Sequence, residues 1–237
     1  MSENSLDEEN KRKYAARAEE WEGKSRDCKD YSRDSEENKE GYAKNEQEIK
    51  ITKKKVENAY TVNRSIVNSK TYHDKFEYIS THKSVNESLY RESKMILEHR
   101  DGTEYEDLVI LDARTGKRIV SNMQRESSLK TGLTYDEYLK VKNFDGKIVM
   151  LHNHPGGGRL SGTDILTMYK EDKAELSMAV GHDGTIHIIS NMNRNVDIEK
   201  IYNKWYDFYK QSYTREMAKI KATDRLYELN LFDYKEV

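Results

Sequence analysis

The sequence predicts an α/β fold, because short aliphatic strands and amphipathic helices alternate through the second half of the chain. Two pairs of apolar runs are each joined by a turn that contains glycine, at 113–116 and at 182–184, which is typical of β-hairpins. A further apolar run, 147–151, lies between the hairpins and is followed by a segment with helical spacing. The predicted order is therefore hairpin, strand, helix and hairpin.

Hydrophobic spacing assigns the individual elements. In chain order they are two amphipathic helices within 65–99, strands 104–112 and 117–121, a short helix 136–141, a strand 147–154, a helix 163–176, strands 178–181 and 185–189, and a helical segment 197–231. The last segment contains a predicted packing stripe formed by Ile201, Trp205, Phe208, Met217 and Ile220.

Composition divides the chain into three regions: a charged arm 1–64, a compact domain 65–195 and a C-terminal helical segment 196–237. The arm is rich in charged helix formers, and seven of its residues recur at a spacing of seven: Tyr14, Trp21, Cys28, Ser35, Tyr42, Ile49 and Val56. The companion row is polar, so two interpretations stay open. The arm is either a coiled coil, which would mediate a homo-oligomer or a larger assembly, or a solvated helix.

Overall composition limits the class of protein. Hydrophobic and charged residues each make up 35% of the chain and the net charge is −2, which gives no electrostatic support for binding to nucleic acid. No apolar run approaches the roughly 18 to 20 residues needed to span a membrane. The first residues lack the apolar region of a secretory signal, and the single cysteine, Cys28, excludes an internal disulfide. We expect a soluble, cytoplasmic protein.

The segment 152–164 has the outline of a metal site. His152 and His154 follow the apolar run 147–151, and alternation along a strand places both imidazoles on one side. Pro155 and three glycines then end the strand and leave space beside the histidines. Asp164, at the start of the next helix, is a candidate third ligand. Three protein ligands with a fourth position open are typical of catalytic zinc.

The segment 152–164 also has to be distinguished from a simple helix start and from other classes of zinc enzyme. Ser161 and Asp164 also match a capping box, whose residues need do no more than start a helix. A zinc deaminase needs a Cys-x-x-Cys motif, and this chain has one cysteine. Zincins need two histidines one helical turn apart, and amidohydrolase barrels need about 250 residues and further histidines at later strand ends.

The pattern His152-x-His154-Pro155, a short loop and Ser161-x-x-Asp164 resembles the signature of the JAB/MPN (JAMM) metallopeptidase superfamily. The wording His-Asn-His-Pro is most similar to the RadC-like bacterial branch of that superfamily. The resemblance covers about 104–189 and implies a curved mixed sheet of the cytidine-deaminase-like kind, flanked by helices. Six residues separate His154 from Ser161, one fewer than is usual in the family.

The resemblance also implies roles for individual residues. His152, His154 and Asp164 would bind Zn²⁺, Ser161 would help to stabilise an oxyanion, and an upstream glutamate would be the general base. The expected activity is hydrolysis of an amide or isopeptide bond in a peptide or protein substrate.

Several acidic and histidine side chains remain to be placed. Glu104 and Glu106 are both candidates for the base, since they are predicted on one face of the same strand. Glu106 is preferred because it lies closer to the hydrophobic part of the strand and at the distance from the turn at Gly116 that resembles the family. Of the later histidines, His182 is predicted at the surface of a hairpin turn. His187 is predicted to be a neutral side chain, either packed or exposed.

A second resemblance suggests a structural role. The region 72–117, especially His99-Arg-Asp-Gly-Thr-x-Tyr-Glu-Asp-Leu108, resembles the region that precedes JAB-like domains in minor head proteins of tailed phages. On this interpretation the protein takes part in virion assembly and the arm docks the domain onto a larger structure. Association with DNA, as in RadC-like proteins, is a further alternative that only the resemblance supports.

Overall fold

The computed structural model of the chain describes residues 60–123 and 132–237. All of these residues belong to one compact unit. The heptad pattern within the predicted arm, and with it the coiled-coil interpretation, lies outside the described residues.

Seven helices and six strands are formed by the described residues. The helices are α1 (Arg64–Val67), α2 (Lys70–Asp74), α3 (Lys83–His99), α4 (Tyr135–Asn143), α5 (Gly162–Lys170), α6 (Ile198–Tyr209) and α7 (Arg215–Glu228). The strands are β1 (Leu108–Asp112), β2 (Arg118–Ser121), β3 (Ile148–His154), β4 (Ala174–Gly181), β5 (Ile186–Ser190) and β6 (Asp233–Glu236).

The strands form one mixed sheet in the order β2-β1-β3-β4-β5-β6. Only the β3–β4 pair among them is parallel, and α5 makes the crossover between these two strands. The other neighbours are antiparallel and include both predicted hairpins. The α/β class is therefore confirmed, as a six-stranded mixed sheet flanked by helices.

Side-chain alternation along the central strands creates two separate cores. Val149 and Leu151 of β3 pack with the buried residues of α1, α2 and α3 on one face of the sheet. Ile148 and Met150, their neighbours in sequence, pack with the buried residues of α4, α5, α6 and α7 on the other face. Because both faces are covered, β3 and β4 are almost continuously buried.

The turn between β1 and β2 shows how local sequence fixes the first hairpin. The Asp112 carboxylate accepts hydrogen bonds from the Arg114 N–H (2.8 Å) and the Thr115 hydroxyl (2.5 Å). Gly116 has a φ of +73°, and a Cβ there would lie 2.6 Å from the Ser88 hydroxyl on α3. Glycine is therefore required both by the backbone conformation and by the close approach of α3.

Two predicted element boundaries were wrong. The predicted helix 163–176 ends at Lys170, and Ala174 and Leu176 instead pair with β3 in the parallel ladder. A strand buried on both faces has no alternating pattern, so its start cannot be read from periodicity. The predicted strand 104–112 begins only at Leu108, which leaves 104–107 outside the sheet.

The C-terminal segment is helical over much of the predicted range 197–231, and it contains in addition a strand that was not predicted. It forms two helices, α6 and α7, and a strand, β6, which pairs with β5 at the sheet edge. The side chains of β6 are exposed, so hydrophobic spacing gives no signal for it. The predicted packing stripe was also wrong in part, because Phe208, Met217 and Ile220 are 58%, 43% and 54% exposed.

Among the described residues, none of the helices has the length and apolar character that crossing a lipid bilayer requires.

Candidate metal centre

The carboxyl end of β3 brings two imidazoles together. His152 and His154 extend the alternation of Ile148 and Met150, so they project toward the face of the sheet that α5 covers. Their Nε2 atoms lie 2.9 Å apart, and their ring centroids lie 4.7 Å apart. The prediction that both rings lie on one side of the strand is confirmed.

The first turn of α5 adds a carboxylate to the two imidazoles. Ser161 is the N-cap, and its hydroxyl accepts a hydrogen bond from the Asp164 N–H (3.3 Å). Asp164 in turn accepts one from the Ser161 N–H (2.7 Å), which completes a capping box. The same carboxylate lies 3.7 Å from His152 Nε2 and 3.6 Å from His154 Nε2. Asp164 therefore caps the helix and also faces both histidines.

The three side chains fit a zinc ion. With Zn–N bonds of about 2.0 to 2.1 Å and tetrahedral angles, neighbouring ligand atoms lie about 3.3 Å apart. The two Nε2 atoms are 2.9 Å apart, and each lies 3.6 to 3.7 Å from one of the two Asp164 oxygens, His152 from Oδ1 and His154 from Oδ2. One ligand atom from each residue thus lies within 4.8 Å of the other two. Two imidazoles and one carboxylate are also a donor set that zinc prefers, and a tetrahedral ion bound to three protein atoms keeps a fourth position.

Hydrogen bonds and charge prepare these ligands for a cation. His154 Nδ1 donates to the Gly158 carbonyl (2.6 Å), which leaves the Nε2 lone pair directed at the cluster. Burial alone would raise the pKa of Asp164, but the two imidazoles hold it well below its usual value. Burial likewise opposes protonation of His154, yet the Asp164 carboxylate raises the pKa of that histidine. The same negative charge that favours a proton here favours a divalent cation.

Glu106 lies close to the three candidate ligands. Burial raises the pKa of its carboxyl, and the charges of His152, His154 and Asp164 also act on this group. Glu104 is exposed, so the prediction that the two glutamates share one strand face was wrong. The reason is that β1 begins only at Leu108, and residues 104–107 do not follow the alternation of the strand. Of the two candidate bases, the structure brings Glu106 to the centre.

Ser161 is an exposed residue at the edge of the centre. Its oxygen accepts the Asp164 N–H, so its own hydroxyl hydrogen remains available to donate. The N-terminus of α5 adds a partial positive charge at this position. Despite the shorter loop, the structure therefore keeps Ser161 beside the candidate ligand Asp164.

The chain was compared with known proteins. No family model, curated protein or solved structure matches it. The assignment of the centre consequently depends on the geometry and chemistry of its own residues.

A second group of potential ligands was missed by the sequence reading. Among residues 60–123 and 132–237, two groups of side chains are close enough to share an ion: the centre described above and His73, Asp74 and Glu77 on and after α2. The second group is more exposed, and the Lys70 ammonium already contacts Asp74 at 2.9 Å. A competing cation and solvent exposure both make this group the weaker site for zinc.

The loop that follows the histidines is held by side chains of the second hairpin. The Gly157 carbonyl accepts hydrogen bonds from His187 Nε2 (3.0 Å) and the Thr185 hydroxyl (3.2 Å). His187 is 5% exposed, and its Nδ1 lies 2.9 Å from the Tyr234 hydroxyl on β6. Of the two alternatives predicted for His187, packed or exposed, the structure shows the packed one, and the packing anchors the loop beside His154.

His182 was predicted at the surface, and this was wrong. The side chain is 1% exposed, because its Nδ1 donates to the Tyr60 carbonyl (2.6 Å) and its Nε2 accepts from the Asn153 amide (3.1 Å). Burial lowers the pKa of His182 and so favours the neutral ring that these bonds require. Tyr60 is 122 positions away, so no local signal indicates this contact.

The geometry predicts the metal content of the purified chain. We expect the wild type to bind about one zinc ion. Substitution His154→Ala removes one of three ligands, so zinc affinity should fall by more than roughly 100-fold, the upper end of what loss of a supporting contact costs. Titration calorimetry with elemental analysis measures both. His73→Ala is the matched control and should keep the ion. Equal zinc binding by wild type and His154→Ala would exclude the centre.

Gly157 gives a prediction about the loop. It has a φ of +68°, and a Cβ there would overlap the Asp183 carboxylate, whereas a Cβ at Gly156 meets nothing within 4 Å. An L-residue in this left-handed conformation costs about 1 to 2 kcal/mol. Gly157→Ala should lower the free energy of unfolding by at least that amount, and Gly156→Ala should change it by less than about 0.5 kcal/mol. Urea unfolding of the two zinc-free variants checks this, and equal stabilities would contradict it.

Proposed function

We propose that the chain is a zinc-dependent hydrolase that cleaves an amide or isopeptide bond, of the JAB/MPN (JAMM) type and most similar to its RadC-like branch. The observation that carries this proposal is the convergence of His152, His154 and Asp164, whose charges all act on the half-buried carboxyl of Glu106. A structural zinc site would be closed by a fourth protein ligand, whereas three ligands and an adjacent acid are typical of a hydrolase.

The three ligands would hold the ion between β3 and the start of α5. When bound there, zinc supplies Lewis acidity, which makes water more acidic and a carbonyl carbon more electrophilic. The backbone around the ligands is fixed by the parallel β3–β4 ladder and by the capping box of α5. The ligands are thus positioned by regular structure, which keeps their geometry from depending on a flexible loop.

Glu106 would act as the general base and then as the general acid. Its raised pKa reflects a poorly hydrated carboxylate, which is a better proton acceptor than an exposed one. In this role a Glu106 oxygen takes a proton from the attacking water and later returns it to the nitrogen of the leaving amine. Both transfers occur at one carboxylate, so no second acid is required.

Ser161 would bind the oxygen of the substrate carbonyl as negative charge develops on it. Its hydroxyl is anchored by the Asp164 N–H and keeps a hydrogen to donate. The partial positive charge at the start of α5 acts in the same direction. Such a donor is worth roughly 10²- to 10³-fold in turnover when it is well placed.

The exposure of the centre fits a large substrate. The side chains of Asp164 and His154 are 20% and 13% exposed, while that of His152 is 4% exposed. The centre is therefore reached from the side of α5 and Ser161, at the surface of the molecule. A surface-accessible centre accommodates a peptide or an isopeptide-linked protein tail.

Substitution of the base separates catalysis from metal binding. Glu106→Gln should retain about one zinc ion and lower the turnover number by roughly 10²- to 10⁴-fold, the usual contribution of a general base. Glu104→Gln is the matched control, since Glu104 is exposed and should be dispensable. Turnover is measured on internally quenched peptide libraries and on peptides that carry a lysine Nε-linked isopeptide bond. Full activity of Glu106→Gln, or no hydrolysis by the zinc-loaded wild type, would contradict the proposal.

A further inference from the structure

Asn153 lies between the two histidine ligands and projects to the opposite face of β3. Its side chain is 0% exposed. The amide oxygen accepts a hydrogen bond from the Asp107 N–H (2.7 Å), and the amide nitrogen donates to the Tyr105 carbonyl (3.0 Å). The side chain therefore binds the main chain on both sides of Glu106.

These two hydrogen bonds lie just beyond the last backbone pair between β1 and β3. The register between β1 and β3 ends at the pair Leu108 and His152. The chain before Leu108 leaves the strand, and the Asn153 amide supplies the donor and acceptor that a neighbouring strand would otherwise give. Residues 105–107 are thereby held beside the end of the histidine strand.

The orientation of the Asn153 amide is determined by a third partner. Its nitrogen also donates to His182 Nε2 (3.1 Å), whose Nδ1 donates to the Tyr60 carbonyl (2.6 Å). A neutral ring that donates from Nδ1 must accept at Nε2. The amide nitrogen of Asn153 thus points toward His182 and Tyr105, and its oxygen toward Asp107.

Asp107, whose N–H binds the Asn153 side chain, is itself anchored on α3. Its side chain is 0% exposed and accepts hydrogen bonds from Arg100 Nε (2.7 Å) and Arg100 Nη2 (2.6 Å) on one oxygen. The other oxygen lies 2.6 Å from His99 Nδ1. Both basic residues come from the end of α3. Asp107, which follows Glu106 in the chain, thus connects this segment to the helix layer on the far side of the sheet.

We propose that Asn153 is a positioning residue, which holds Glu106 at the metal centre through the peptide groups that flank it. This inference rests on the proposed function, because it assigns Glu106 a catalytic role. Residues at the end of β3 then have two roles. On one face of the strand His152 and His154 hold the metal, and on the other face Asn153 holds the segment that carries the base Glu106.

The expected loss of turnover in a variant at position 153 follows from the sensitivity of catalysis to the position of the base. A misplacement of about 1 Å costs on the order of 10²-fold in rate. Asn153→Ala removes both bonds to the main chain, so the zinc-loaded variant should turn over roughly 30- to 100-fold more slowly. Its KM should change by less than about threefold and its zinc content should remain one, because no ligand or substrate contact is altered.

Asn122 provides the matched control. It is 2% exposed, and its side-chain oxygen accepts a hydrogen bond from the Leu108 N–H (2.5 Å), the next amide after Asp107. Asn122→Ala therefore removes a buried amide from the same segment without releasing the peptide groups beside Glu106. Its turnover number should stay within about threefold of wild type.

The experiment measures kcat, KM, zinc content and amide hydrogen exchange for the full-length wild type, Asn153→Ala and Asn122→Ala. Exchange at the Asp107 amide should rise at least tenfold in Asn153→Ala, while β3 amides keep their protection. Asn153→Asp preserves the acceptor for Asp107 and loses the donor to Tyr105, so its turnover should lie between wild type and Asn153→Ala. If Asn153→Ala does not fold, Asn153→Asp is the deciding variant.

Folded variants at position 153 with unchanged kcat and unchanged Asp107 exchange would overturn the inference, as would an equal loss of kcat in Asn122→Ala. A different result bears on the proposed function: if the zinc-loaded wild type hydrolyses none of the probes, that function fails. In that case the exchange measurement alone decides whether Asn153 holds the segment, and unchanged exchange at Asp107 overturns the inference.

Discussion

The alternation of side chains at the end of β3 is the constraint on which the site depends. Three consecutive residues, His152, Asn153 and His154, are fixed in extended backbone by the parallel ladder with β4, and His152 also pairs with the antiparallel neighbour β1. Successive side chains point to opposite faces of the sheet. The two imidazoles therefore lie together on the face that α5 covers, while the Asn153 side chain binds the segment before β1 on the other face. A shift of one residue in the register would exchange these roles and disperse the site.

The two helix layers each complete one side of this arrangement. On one face, the capping box of α5 orients Asp164, so the bonds that start the helix also direct its carboxylate toward the two histidines. On the other face, Arg100 at the end of α3 holds Asp107 and with it the main chain of Glu106. The same hydrogen bonds therefore stabilise the fold and position the side chains of the candidate centre. Removing Asn153 or Arg100 would leave a polar group of the buried Asp107 without a partner, which costs about 1 to 3 kcal/mol.

The grouping of His152, His154 and Asp164 could be predicted from sequence because it is local. His152, His154 and Asp164 lie within thirteen residues, and strand alternation with a capping box is enough to bring them together. The support for Glu106 could not be predicted, since Asn153 binds Asp107 across 46 positions. The start of β4 was also missed, because a strand buried on both faces lacks alternation. Local patterns thus specify ligands and turns, whereas tertiary pairing decides strand limits and the burial of His182.

The central claim is that His152, His154 and Asp164 bind one zinc ion. It is tested most directly by anomalous scattering at the zinc absorption edge from crystals of the purified chain. A bound zinc ion should give a single strong peak about 2.0 to 2.2 Å from the two Nε2 atoms and one Asp164 oxygen. No peak at this position, or a peak at His73 alone, would contradict the claim.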